Sequence, residues 1–194
     1  LGRKMIKPNK DLLEKNITNK VVVVTGAGGS IGSELCRQII TLKPKSLILY
    51  EMSELSLYNI EKELSHINLQ SLDVYPILGS VNNKSRLKKV FKKFKVETIY
   101  HAAAYKHVPM VEFNSTEGVD NNIFGTLKCV EVAADLMIET FVLISTDKAV
   151  CPTNTMGATK RVAELILQAF ANKQTNTKFS IVRFGNVLGS SGSV

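Results

Sequence analysis

Cysteine is scarce. The 194 residues hold only Cys36, Cys129 and Cys151, far apart and odd in number. That excludes a disulfide framework and a cysteine zinc site, and it fits a reducing compartment. Long apolar runs are also missing. The longest are short, such as Val21 to Val24, whereas a bilayer span needs roughly 20 residues, so no membrane helix is expected. The start, Leu1-Gly2-Arg3-Lys4, has neither an initiator Met nor a stretch like a signal peptide's, so the sequence reads as an excised piece. Internal repeats and low-complexity linkers are absent. A composition 44% hydrophobic and 22% charged excludes disorder and collagen-like chains, and the length suits one large domain or less.

Positive charge is in excess: 25 Lys and Arg against 17 Asp and Glu, net +8. One source is the first twenty residues, with Arg3, Lys4, Lys7, Lys10, Lys15 and Lys20 against Asp11 and Glu14. The other is residues 84–95, with six lysines and Arg86. In that stretch Leu87, Val90, Phe91 and Phe94 recur at helical spacing, which leaves the lysines on the solvated side of an amphipathic helix. That reading is preferred to a nucleic-acid or anionic-membrane patch, since no aromatic residues interleave the lysines for base stacking.

Short β-branched runs alternate with longer amphipathic stretches. Strands are expected at 20–25, 46–50, 74–78, 98–101, 140–145 and 178–183, and helices at 31–42, 53–66, 85–95, 116–136 and 155–173. Near-continuous apolar strands imply burial on both faces, hence a parallel sheet with helices on both sides. The expected fold is α/β, a doubly wound (Rossmann-like) sheet of order 3-2-1-4-5-6. Residues 1–19 read as an extended basic arm, and 20–194 as the domain. The last residues, Gly189-Ser190-Ser191-Gly192-Ser193-Val194, form a loop beyond the sixth strand, so a C-terminal substrate-binding part is expected to be missing.

The strongest chemical signal is Val21-Val22-Val23-Val24-Thr25-Gly26-Ala27-Gly28-Gly29-Ser30-Ile31-Gly32. It lies between the first strand and the first helix, where a phosphate-binding turn belongs. Gly26 allows the tight turn, Gly29 lets backbone approach a pyrophosphate, and Gly32 allows close helix–strand packing. The spacing is G-x-x-G-x-x-G, not the ordinary G-x-G-x-x-G. Glu51 ends the second strand where an acid bonds an adenosine ribose; the alternative is a helix-capping acid. With no Arg until Arg86, a carboxylate there favours NAD over NADP. After the fifth strand come Ser145-Thr146-Asp147-Lys148, then Met156-Gly157-Ala158-Thr159-Lys160. Asp147 and Lys148 could serve as an acid–base pair if their environments move the pKa values apart. Met156 and Lys160 share a helix face, where Met is usually core and Lys usually surface.

Together with His101-Ala102-Ala103-Ala104-Tyr105-Lys106-His107-Val108-Pro109, Asn122-Ile123-Phe124-Gly125-Thr126 and Arg183-Phe184-Gly185-Asn186-Val187, these segments resemble the extended short-chain dehydrogenase/reductase superfamily. Within it, they resemble the nucleotide-sugar 4,6-dehydratases of bacterial polysaccharide and glycan biosynthesis. The pairing of Thr-Asp-Lys-Ala with Met-Gly-Ala-Thr-Lys is similar to the large, membrane-anchored UDP-N-acetylglucosamine 4,6-dehydratases, which have Met156 in place of the superfamily's usual Tyr.

The resemblance implies an NAD-dependent lyase that forms a UDP-4-keto-6-deoxy-N-acetylhexosamine. Gly26, Gly29, Ser30, Ile31 and Gly32 would surround the pyrophosphate and Glu51 would hold the ribose. Ser80 and Val81 would border the adenine, with Ser80 replacing the family's usual Asp. Ala102, Ala103 and Ala104 would line the cofactor, and Lys160 would bond the nicotinamide ribose. Thr146 would supply the hydroxyl of the triad, Asp147 would be the acid at the 6-hydroxyl and Lys148 the base at C5. For those roles Asp147 must be raised and Lys148 lowered in pKa. The base for the 4-hydroxyl stays open, because a thioether holds no proton. Lys106, Asn186, Ser190 and Ser191 would meet the UDP-sugar. The resemblance also implies a homo-oligomer and a cytoplasmic setting at the inner face of the plasma membrane through a region outside this chain; the charge pattern and the scattered cysteines lead to the expectation of no nucleic-acid partner and no metal. This piece alone is expected to be inactive. The alternatives are a 4-epimerase of the same superfamily and a non-catalytic nucleotide-binding module.

Overall fold

The structure is a computed structural model that describes residues 9–67, 72–173 and 176–187. Its frame is one parallel sheet. The strands are β1 (Val21–Thr25), β2 (Ser46–Glu51), β3 (Asp73–Leu78), β4 (Thr98–His101), β5 (Thr140–Thr146) and β6 (Lys178–Phe184). They run in the order β3-β2-β1-β4-β5-β6, every pair parallel, as the alternating pattern predicts. β1 and β2 are buried along their whole length. The period of two in a strand sends successive side chains to opposite faces, so β1 feeds two separate cores. Val22 and Val24 pack with Cys36, Ile39, Leu57 and Leu64 on one face; Val21 and Val23 pack with Phe91, Cys129, Val130 and Leu167 on the other. β3 and β6 are less covered. Pro76, which cannot donate to a ladder, sits in β3 at the sheet's edge, where that loss is tolerated.

The helices are α1 (Lys10–Ile17), α2 (Ser30–Thr41), α3 (Glu54–Ile67), α4 (Lys84–Phe94), α5 (Val108–Phe113), α6 (Ser115–Val119), α7 (Gly125–Asp135) and α8 (Thr155–Lys173). In α4 the apolar stripe of Leu87, Val90 and Phe91 is buried. On its solvated side Lys84 and Lys88 pair with Glu131 and Asp135 of α7.

Two expectations are corrected. The stretch before β1 is not extended throughout: residues 10–17 form α1. Asn9, a residue type common in loops, is its cap, accepting the N–H of Leu12. Ile17 enters the core, 3% exposed, and Thr98 donates its hydroxyl to the carbonyl of Asn16. The single helix expected at 116–136 is instead α6 and α7 joined by a π-helical turn at Asp120–Phe124. The extra residue per turn shifts the helix register, and Asn121 and Asn122 lie buried there. α5 precedes it and is an additional element. Among the described residues no helix is long and apolar enough to cross a membrane, and no His/Cys/Asp/Glu group is arranged to hold a metal ion.

Candidate active site

At the carboxyl end of β1 the chain turns on Gly26, whose φ of +69° is the left-handed conformation a side chain disfavours. Its N–H donates to the carbonyl of Tyr50 at 2.8 Å. A Cβ on Gly26 would meet the backbone of Ala102 and Ala103 at 2.7–2.9 Å, and one on Gly32 would lie 1.9 Å from the Gly26 carbonyl oxygen. Those two glycines are required by the protein's own packing. Gly29 differs: a Cβ there meets only the Gly26 oxygen, at 3.4 Å. Its open side faces the cleft at the N-terminus of α2, whose positive dipole end favours an anion.

Glu51 is 8% exposed. Its Oε2 accepts the N–H of Gly28 at 3.0 Å, and its Oε1 accepts those of Met52 and Ser53 at 2.8 and 3.0 Å. The carboxylate thus ties the glycine turn to β2 and to the approach of α3 while still lining a hollow of about 340 Å³ with Gly26, Met52, Gly79, Val81 and Ala103. Ser80, between two of those residues, accepts the N–H of Asn82 on its hydroxyl, and its carbonyl takes the hydroxyl of Tyr50.

A larger cleft of about 920 Å³ adjoins this hollow; Gly28, Gly29, Ala102, Ala104 and Tyr105 line both. It brings together Ser30, Ile31 and Gly32 with Lys106, Thr146, Lys148, Met156, Lys160 and Asn186, residues from the start of α2, from the exits of β4, β5 and β6, and from α8. At its floor, α8 begins on Thr155, whose N–H and hydroxyl both donate to Glu112 of α5. Met156 is 3% exposed and Lys160 5%. The Lys160 Nζ donates to the carbonyl of Ile144 at 2.7 Å. Burial pulls the Lys160 ammonium down to about 8, with the charge of Glu164 pulling the other way.

Thr146 ends β5. Its hydroxyl donates to Asp147 Oδ1 at 3.0 Å. The Lys148 Nζ donates to Asn186 Oδ1 at 2.9 Å and lies 3.6 Å from Asp147 Oδ1. The Thr146 hydrogen bond is the largest influence on the Asp147 carboxyl and, with the Lys148 charge, holds it below its ordinary range against the opposing effect of burial. This corrects the expectation of a raised pKa: the Asp147 side chain is 59% exposed, so desolvation is too weak to keep it protonated. Asp147 and Ser80 are the two expected residues, among those described, that line neither hollow; Ser190 and Ser191 lie outside the described residues.

Several groups are not singled out by the sequence. Tyr105 lines both hollows, and His107, Val108 and Met110 bring α5 into the larger one. Asn122 in the π-turn holds that segment: it accepts the N–H of Tyr105, donates to the Tyr105 carbonyl and donates to Thr159 of α8. Its only sequence signal is its place in the Asn-Ile-Phe-Gly-Thr segment. His101 is wholly buried between the hydroxyls of Thr25 and Thr126, and burial lowers it to about 3, so it is neutral at ordinary pH.

The chain is similar to known proteins. The chain is 47% identical over its full length to the capsular polysaccharide biosynthesis protein CapD of Staphylococcus aureus, covering 32% of that protein. It is 35% identical over 178 residues to a UDP-N-acetylglucosamine 4,6-dehydratase (inverting) of Campylobacter jejuni, covering 90% of this chain and 51% of the other. The chain therefore spans about a third to a half of the length of these relatives. Among solved structures, Pen from Bacillus thuringiensis superposes with a TM-score of 0.84 at 31% identity, over 92% of this chain and 53% of that one. At 18% identity, the UDP-glucose 4-epimerase of Brucella ovis, solved with NAD, shares the fold (TM-score 0.73, 89% of this chain and 54% of that one). The glycine turn, the cleft and the segments after β4, β5 and β6 all fall within residues 22–194, which match the family described as "Polysaccharide biosynthesis protein", and the chain belongs to that family.

Proposed function

We propose that the protein is an NAD-dependent UDP-N-acetylglucosamine 4,6-dehydratase, and that this chain supplies its cofactor cleft and its acid–base groups. The observation that carries the reading is the juxtaposition of Thr146 and Lys148 at the carboxyl end of β5 with Met156 and Lys160 on the cleft floor, with the Thr146 hydroxyl bonded to the ionised Asp147. The residues fit the cofactor. Gly29 leaves open the space a pyrophosphate needs at the α2 N-terminus, Glu51 and Val81 line the hollow for an adenosine, and Lys160 lines the cleft toward the nicotinamide end. The Glu51 carboxylate disfavours the extra phosphate of NADP. When bound, NAD would take a hydride from C4 of the sugar and return it to C6.

The chain's own groups account for the protons. With Met156 unable to take one, the 4-hydroxyl proton passes to the Thr146 oxygen as the Thr146 proton moves to Asp147 Oδ1, the bond already in place. Asp147, now protonated, delivers that proton to the departing 6-hydroxyl, which leaves as water. As the base at C5, Lys148 removes the proton made acidic by the 4-keto group and later returns it. Asp147 begins and ends ionised, which agrees with its lowered pKa. A 4-epimerase would leave Lys148 without a task at C5 and Asp147 without one at the 6-hydroxyl. Incubating the complete protein with UDP-N-acetylglucosamine and NAD, and reading products by NMR, tests the proposal: a 4-keto-6-deoxy product supports it, and a C4 epimer or unchanged substrate rejects it.

A further inference from the structure

Glu164 lies one turn beyond Lys160 on α8 and is fully buried. Its Oε1 accepts the hydroxyl of Ser145 and the Nε–H of Arg183, each at 2.7 Å. Its Oε2 accepts from Arg183 Nη2 and, at 3.1 Å, from Arg161 Nη1. Burial pushes this carboxyl up, but the bonds from Arg183, Ser145 and Arg161 outweigh it and hold it at about 2. The partners are informative. Ser145 immediately precedes Thr146, Asp147 and Lys148. Arg183 immediately precedes Phe184, Gly185 and Asn186, which line the cleft, and Asn186 holds Lys148.

A buried ion pair is a poor source of net stability, because desolvation offsets much of its attraction and well-packed apolar groups often do as well. Its distinctive property is direction. An arginine fork and a carboxylate meet in one geometry, whereas apolar side chains would tolerate sliding between helix and sheet.

We propose that Glu164 is a positioning residue, a clamp that holds the ends of β5 and β6 against α8. It thereby sets residues 146–148 and 184–186 across the cleft from Met156 and Lys160. The clamp acts by charge as well as by geometry. The charged groups around Lys160 are Glu164 on its own helix, Lys106, Lys148 and Glu117 lining the same cleft, and Arg161 and Arg183 bound to Glu164; His101 of β4 is neutral there. Glu164 is the group that raises the Lys160 pKa against burial. The part of the proposal that concerns turnover rests on the dehydratase reading; the part that concerns Lys160 does not.

The test uses the complete protein with Glu164→Gln and Arg183→Gln, reading kcat and KM for UDP-N-acetylglucosamine. Lys160 titration is read separately, by amine labelling against pH with mass spectrometry. Glu164→Gln is expected to lower the Lys160 midpoint by about 1 pH unit or more and to cut kcat about tenfold. Arg183→Gln frees β6 but leaves the Glu164 charge in place, so it should raise KM about tenfold with the Lys160 midpoint unmoved. An unmoved Lys160 midpoint in Glu164→Gln, or wild-type KM in Arg183→Gln, overturns the clamp. If Glu164→Gln does not fold, Arg183→Gln decides. If the wild type fails to turn over the sugar, the dehydratase reading fails, and the labelling midpoints still decide the role of Glu164.

Discussion

Gly32 rides directly over the carbonyl of Gly26: a Cβ on Gly32 would sit 1.9 Å from that oxygen, while one on Gly29, three residues earlier, would find 3.4 Å. Two glycines of one turn therefore answer to different demands. The first is needed by the fold, and the second leaves open the space proposed for the pyrophosphate.

Substitution separates them. Gly32→Ala should destabilise the domain by about 2–3 kcal/mol, the usual cost of forcing atoms into packed space, and lower its melting temperature. Gly29→Ala should change stability by less than about 1 kcal/mol yet weaken NAD binding at least tenfold, about 1.4 kcal/mol. Melting curves and calorimetry on the same two proteins give both quantities. Wild-type NAD affinity in Gly29→Ala would remove the cofactor from this turn.

Asp147→Asn removes the group proposed to take the 4-hydroxyl proton and to give it to the 6-hydroxyl. Turnover in the complete protein should fall by about 10²–10⁴-fold, the range of general acid–base catalysis, with NAD affinity unchanged. Because the first proton transfer is lost, reduced nicotinamide should not build up. If the variant instead accumulates it, followed by absorbance with substrate present, Asp147 acts only as the later acid and the 4-hydroxyl proton leaves by another route.

Lys160 has a stability signature of its own. Its folded pKa, about 8, lies below the ordinary 10.5 because of burial. Between those values the unfolded chain binds a proton that the native state lacks, so unfolding free energy rises with pH through that window. Below about pH 8 the buried ammonium costs stability. Lys160→Met should therefore be more stable than wild type at about pH 7, by up to about 3 kcal/mol, and inactive. The gap should close as pH rises from about 8 toward 10.5. Urea unfolding at a series of pH values measures it; a gap that is absent near neutrality or constant with pH would mean that the buried charge is not costly.

Much of the fold is legible in the amino-acid order. Val21 to Val24 followed by Gly26, Gly29 and Gly32 mark a strand, a turn and a helix start. Period-two and helical spacings then place each remaining strand within a residue or so of its structural bounds. The π-turn is not legible, because Thr116 to Leu136 reads as one amphipathic stretch and nothing local marks the extra residue that seats Asn122 against Tyr105 and Thr159. Nor is α1, whose cap, Asn9, is of a type equally at home in a loop.

By itself the sequence determined the strand order and which residues reach the carboxyl ends of the strands, since both follow from local periodicity and from right-handed crossovers. Tertiary structure decided the chemistry of those residues. Exposure and the Thr146 hydroxyl leave Asp147 ionised, burial draws Lys160 toward neutrality, and Glu164 is held by partners 19 residues away on both β5 and β6. Charge state depends on solvent access and on neighbours supplied by other elements, and neither exists until the chain has folded.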